Sequence, residues 1–546
     1  MKLKIFKYIV PAVSALVFSF GMTSCDELNL SIQDPQISTE FDADGMLIDI
    51  YSRLHLTGAV GGAGNPDMAQ FDEGNSSFYR RIFEANEMGA DECIWTWQND
   101  AGIPEMTNLS WNSSHGYNEL TYYRIAYNIT LCNYYLDETA ESDDAQIHQN
   151  RAEVRFLRAY FMYHFIDLYG KMPFKEHYNT ELPVEMSRAD AFNYIVKELK
   201  SINGETEGAT EVLLDNANSD ANYGRADKVA ANLLLARLYL NAEVYTGTAQ
   251  WQEAVNYANK VINSGYRLNK TEKNGYTAYE QLFMGDNGEN PNARQEIIFP
   301  IRCDGLTSRS YGGSVYTIAS TTGNGTPSQG LASSQWTCNR AREAMVKKFF
   351  SDFNKVPMVN NPHEVAKAAG DDRALFFSGC AEDGSKQRTI TTEEKTTFES
   401  GLGILKWSNV YSDGSTPHDV TFSDTDIPLF RVAEAYLTLA EANFRMKGDD
   451  AITLNAINEL RNRAHATPLN SVTKDDILDE WSREFYFEGR RRSDLIRFDR
   501  FTSGSYLWDW KGGTYEGNGV SRIYNLYPIP ANELNANKNM TQNLGY

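Results

Sequence analysis

Two stretches of this chain carry residue types that do chemistry together. In the first, Trp95, Trp97 and Asn99 follow Asp72 and Arg81 within residues 66–116, a stretch that reads as one long irregular region. In the second, Tyr316 and Trp336 lie in a segment rich in Gly, Ser and Thr, residues 303–338, and Arg373 follows in a third insertion, residues 352–427. Indole and phenol rings pack on an apolar face, and Asn, Arg and carboxylate groups bond a rim of hydroxyls. A sugar ring presents both surfaces. For each ring, core packing is the competing explanation.

Other chemistries fail on spacing. Thr57 to Asn65 is glycine-rich but lacks GxGxxG and GK[ST], so it makes no phosphate cradle. His363-Glu364 begins an HExxH-like string that ends on Lys367, and no GxSxG occurs. Asp286 to Glu289 lacks EF-hand spacing and reads as a turn. Glu484, Glu488, Arg490, Arg491, Arg492 and Asp494 resemble a catalytic carboxylate set. Helical charge pairing among 484, 488 and 491 is the simpler expectation. His164 reads as a satisfied core residue. The expectation is therefore of no enzyme, no cofactor and no metal. A secreted glycoside hydrolase would need paired carboxylates across a cleft, and a purely protein-binding helical adaptor would have no pocket on its loop face.

The elements that must position these residues are helical. Val154, Leu157, Phe161, Phe165 and Leu168 recur at helical steps, and Phe156, Tyr160 and Tyr163 add a second stripe. A helix apolar on two sides needs cover on two sides. Gly170 and Pro173 stop it. Further helices are expected at 42–56 and 117–136. Helix-turn-helix units are expected at 151–202, 225–264 and 429–464, the last two with the alanine spacing and short turns of tetratricopeptide repeats. The fold expected is all-α dominated: a tetratricopeptide-like, right-handed hairpin scaffold with large irregular insertions and a few short strands.

Composition sets limits. The chain has 546 residues and a net charge of −22, which argues against nucleic acid as a partner. Lys2, Lys4 and Lys7 precede an apolar run, Tyr8 to Phe20, and then Gly21-Met22-Thr23-Ser24-Cys25. That is the anatomy of a lipoprotein signal peptide over residues 1–24, with Cys25 as the acylated residue. Residues 25–41 read as a tether and 42–546 as one domain. The other cysteines, Cys93, Cys132, Cys303, Cys338 and Cys380, are scattered and odd in number, so they make no disulfide framework.

Three stretches resemble the SusD/RagB family of outer-membrane nutrient-binding lipoproteins. These are RFLRAYFMYHFIDLYGKMPF from Arg155 to Phe174; Glu484-Phe485, Glu488-Gly489, Arg491 and Asp494-Leu495; and Tyr527-Pro528-Ile529-Pro530 with the ending Gln542 to Tyr546. Trp481, Arg492 and Leu544 depart from the family pattern. The resemblance implies a non-enzymatic surface protein that hands glycan to a SusC-like TonB-dependent transporter, or peptide in a RagB-like alternative. Asp26-Glu27 resembles a surface-export signal. It also implies an arc of aromatics drawn from two loop regions. The expected platform is Trp95, Trp97, Tyr316 and Trp336, with Asn99, Asp72, Arg81 and Arg373 as polar contacts.

Overall fold

The structure is a computed structural model that describes residues 41–58, 62, 67–68, 74–381 and 384–546. Cys25 and Asp72 lie outside the described residues.

The central helix runs over Ala145–Leu168. Asp144 caps it by accepting from the backbone N–H groups of Gln146 (2.7 Å) and Ile147 (3.1 Å). Gly170 ends it at φ +69°, where a Cβ would stand 2.7 Å from Leu526 Cδ1. Every residue from Ala152 to Tyr169 except Arg155 is buried. The two apolar stripes are covered from two sides. Phe156 meets Phe299 edge-on at 5.2 Å, and Phe165 meets Tyr122 at 5.0 Å. The first contact reaches the ribbon formed by strands Ile297–Ile301 and Ile427–Arg431, and the second reaches the helix Gly116–Glu138. His164 is buried among Phe78 and Tyr160 as a core residue, but its Nε2 has no partner among the described residues.

Helix hairpins build outward from that core. Arg188–Ile202 returns along the central helix. Lys228–Leu240 packs against Trp251–Ile262, and Val432–Lys447 packs against both Trp251–Ile262 and Ala451–Arg463. Ala254, Ala258, Ala433 and Ala440 are buried at these contacts, where short side chains let helix axes approach. Eighteen α-helices and four two-stranded antiparallel ribbons occur among the described residues, and residues 43–546 form one unit.

Two expectations need correction. Residues 66–116 are not irregular throughout: Phe78–Glu87 is a helix capped by Ser77, and all ten of its residues are buried. Its sequence, FYRRIFEANE, hides this because its charges are buried too, with Arg80 bonded to Glu84 at 2.7 Å. Residues 484, 488 and 491 do not share a helix face either. The Lys474–Phe485 helix ends before Glu488, and the next begins at Arg491. Glu484 instead joins three chain-distant guanidinium groups. It lies 2.5 Å from Arg431, 3.1 Å from Arg373, and in contact with Arg463. Glu488 bonds Lys406 at 2.6 Å, and Arg491 bonds Asp91 at 2.7 Å. Burial alone would raise the Glu484 carboxyl, but the guanidinium groups of Arg463, Arg431 and Arg373 outweigh it and hold the carboxyl well below its usual range. The signature EF..EG.R..DL is thus an internal electrostatic lock between the last hairpin and the rest of the fold.

Candidate ligand-binding surface

The surface is assembled by a pairing between distant segments. Strand Cys93–Trp95 runs antiparallel to Asn339–Ala341, with Trp95 opposite Asn339. The backbone N–H of Thr96 extends the ladder to Cys338 O at 3.1 Å. This brings the loop after Trp95 beside the loop that ends at Cys338.

The rings of both loops form one continuous series. Trp97 meets Trp95 at 6.2 Å, Trp95 meets Tyr316 at 5.9 Å, and Tyr316 meets Trp336 at 6.3 Å. Trp336 meets Tyr311 at 6.2 Å, and Tyr311 meets Phe422 at 5.1 Å. The interplanar angles from Trp95 onward lie between 43° and 51°, so each ring is tilted against the next and the series is not stacked in a flat pile. Burial divides them into two layers. Trp95 is 1% exposed and Tyr316 is fully buried, whereas Trp97, Trp336, Tyr311 and Phe422 are half-buried. Trp97 rests on Trp95 and Trp336 on Tyr316, while Tyr311 and Phe422 extend the outer layer beyond Trp336.

The inner pair is held from below. Arg80 stands 4.6 Å over the Tyr316 ring, and Phe83 meets that ring edge-on at 5.4 Å. Asn339 Nδ2 donates to the Tyr316 hydroxyl at 3.5 Å. A short helix, Ser314–Ala319, turns Tyr316 inward and leaves Tyr311 outside it. The backbone N–H of Trp336 is tied to Ala319 O at 2.8 Å.

The expected residues fall into three groups. Trp97 and Trp336 are in the outer layer, and Asn99 is exposed two residues beyond Trp97. Trp95 and Tyr316 are in the inner layer, so they support the platform and do not offer open faces. Arg81 and Arg373 are buried in ion pairs. Arg81 is 1% exposed, bonded to Glu84 and Asn75, and stands 4.8 Å from the Tyr117 ring centroid. Arg373 is fully buried on Asp371 (2.8 Å), Glu480 (2.8 Å) and Glu484 (3.1 Å), so it belongs to the internal lock and not to a ligand surface. Tyr311 and Phe422 were not among the expected residues. Tyr311 was visible in sequence as a loop aromatic, but nothing there distinguished it from Tyr316.

Asp286 accepts from the Ser412 backbone N–H at 2.9 Å, and Asn287 exchanges bonds with the Asp426 backbone, so this turn is tied into the fold. Among the described residues no group of three or more His, Cys, Asp or Glu side chains is placed to hold a metal ion.

Comparison with known proteins decides the family. A family model described as the SusD family matches residues 378–546, and a second, described as starch-binding associating with outer membrane, matches residues 66–240. Over its full length the chain is 46% identical to the starch-binding protein SusD of Bacteroides thetaiotaomicron, with 100% of both chains covered. The chain belongs to the SusD family. A SusD-like protein of Formosa agariphila is 24% identical over 442 residues, 76% of each chain. The surface glycan-binding protein A of Bacteroides thetaiotaomicron, solved with laminarihexaose, matches with a TM-score of 0.64 at 17% identity, covering 92% of this chain and 98% of that one. Its counterpart from Bacteroides uniformis matches at 0.65 and 20%, with 92% and 98% covered. At these identities the two structures carry the SusD fold alone. The departures from the family pattern sit off the ring series. Trp481 is buried with its Nε1 donating to Glu441 at 2.7 Å, Arg492 is 1% exposed, and Leu544 is 97% exposed.

Proposed function

We propose that this protein is a non-enzymatic, cell-surface glycan-binding lipoprotein that captures a starch-type α-glucan and delivers it to a SusC-like TonB-dependent transporter of the outer membrane. The observation that carries the proposal is the half-exposed series of Trp97, Trp336 and Tyr311, in which Trp97 and Trp336 lie against a buried inner pair. Each half-open ring offers a flat apolar surface to the C–H face of a sugar, and a row of such rings can meet successive sugars of a polymer. Asn99, two residues beyond Trp97, and Asp72 supply hydroxyl contacts. The starch-type ligand is taken from the relative of 46% identity, whose name is starch-binding. Half-exposed indoles favour this reading over the peptide-binding alternative, which calls for a groove without open tryptophan.

Acylation at Cys25 anchors the chain to the lipid surface, where burial of several acyl chains gives stable attachment. The transporter then takes the glycan that the outer rings release. A panel of native gels containing amylopectin, laminarin or no glycan tests the assignment. Retardation by amylopectin alone is expected. Retardation by laminarin alone, or by neither polymer together with binding to peptides, would overturn it.

A further inference from the structure

The ring series does not stop at the platform described above. Phe422 comes from a segment more than eighty residues further along the chain than Trp336, and it arrives at the Tyr311 end by backbone bonding. The Ser333 N–H donates to Val420 O at 3.0 Å, and the Ser334 hydroxyl donates to Thr421 O at 3.0 Å. Asp419 caps the turn by accepting from the N–H groups of Thr421 (2.6 Å) and Phe422 (2.9 Å). The Phe422 ring sits 5.1 Å from Tyr311 at 43°, close to the 48–51° of the preceding pairs from Trp95 onward. Gly62 lies so close to its Cε1–Cζ edge that a Cβ there would collide with it. Arg309, on the exposed surface, places its guanidinium 5.6 Å from the ring centroid, and its Nε donates to Gly305 O at 3.3 Å.

No core requirement explains this arrangement. Phe422 is half-buried, and the neighbouring Val420 is 52% exposed, so the segment is presented at the surface and not tucked beneath it. We propose that Phe422 and Arg309 form an outer sugar subsite beyond Tyr311, which engages an additional residue of a long glucan chain and makes affinity depend on chain length. The ring supplies the apolar face, and the terminal guanidinium nitrogens donate to hydroxyls. The inference rests on the glycan-binding reading, and it adds a length-selecting element to it.

The test compares maltotriose and maltoheptaose by calorimetric titration on wild type, Phe422→Ala and Arg309→Ala. Phe422→Ala is expected to weaken maltoheptaose about three- to tenfold and leave maltotriose within about twofold, the scale of one ring contact. Arg309→Ala, at an exposed position, is expected to shift the same ratio in the same direction. Phe422→Leu, which keeps apolar bulk, covers the case in which the alanine variant folds poorly. The ratio of two affinities on one sample does not depend on the fraction folded. Equal losses for both sugars, or no loss for either, would overturn the outer subsite while leaving the platform standing. A wild type that binds neither sugar would overturn the glucan reading itself, and the subsite with it.

Discussion

Tyr316 and Trp336 stand with ring centroids 6.3 Å apart and planes inclined by 48°, one fully buried and the other half open. The buried phenol sets the height and tilt of the open indole. Tyr316 also contacts Trp95 at 5.9 Å, so one inner ring touches members of both loops.

Tyr316 should accordingly couple stability to binding. Among the described residues its hydroxyl has only a long bond from Asn339, so Tyr316→Phe is expected to bind and melt like wild type. Tyr316→Ala leaves a cavity, with a stability loss of about 3–5 kcal/mol, and lets the outer rings relax. Chemical unfolding and glycan titration on the two variants check this. A Tyr316→Ala variant with unchanged affinity would remove the ring from its supporting role.

Glu484 should be among the least replaceable residues. Its carboxylate faces Arg431, Arg463 and Arg373, all fully buried. Glu484→Ala removes the one carboxylate shared by all three, leaving Arg373 on Asp371 and Glu480, Arg431 on Glu296 and Glu488, and Arg463 on Glu296 alone, and a destabilisation of about 3–5 kcal/mol is expected. Thermal unfolding reads this directly, and a variant that melts with wild type would show that the lock relaxes at little cost.

Asp426 gives a pH signature of the opposite sense to most carboxylates. Burial pushes its carboxyl up to about 7, against the backbone N–H of Cys303 that favours the charged form. Glu289, Arg302 and Tyr223 face it. The unfolded chain releases this proton at about pH 4 and the folded chain holds it to about 7, so this residue's contribution is complete below about pH 4 and is lost as pH rises to about 7. Each tenfold difference in proton affinity between the two states is worth at most about 1.4 kcal/mol. Asp426→Asn keeps the acceptor for Cys303 and should flatten that decline. Urea midpoints at about pH 5 and about pH 7.5, on either side of most of the change, measure it. An identical slope in both proteins would contradict it.

The thiols offer a check on packing. Cys93, Cys132 and Cys338 are buried, and burial pushes the Cys132 thiol up to about 12. These three should stay silent to an aromatic disulfide reagent until the chain unfolds, since the thiolate is the reactive form. Cys380, half-buried, should react in the native state. Fast labelling of Cys338 would mean that the strand under the ring platform opens readily.

Much of the scaffold was legible because it obeys helical periodicity. The two apolar stripes of Arg155 to Phe174 announced a core helix, and the alanines at 254, 258, 433 and 440 announced close hairpins. The platform was legible only by residue type. Trp97 and Trp336 are large rings in loops, and so are Trp95 and Tyr316, but exposure is decided by tertiary pairing. The six-residue helix Ser314–Ala319 buries Tyr316 and turns out Tyr311, which the local pattern does not encode. Phe422 reaches the series through bonds to Ser333 and Ser334, contacts between segments that no sequence window contains. Arg373 looked like a rim residue because an arginine directly after two aspartates, Asp371 and Asp372, has the same appearance whether its partners are solvated or sealed inside.

The most direct measurement is native affinity electrophoresis in amylopectin for wild type and the double variant Trp97→Ala/Trp336→Ala, with melting curves on both. The account predicts that wild type is retarded and that the double variant runs as in a glycan-free gel, each ring contributing about 1–3 kcal/mol to binding, while both unfold at nearly the same temperature. A double variant that folds and is still retarded to the wild-type extent would contradict it.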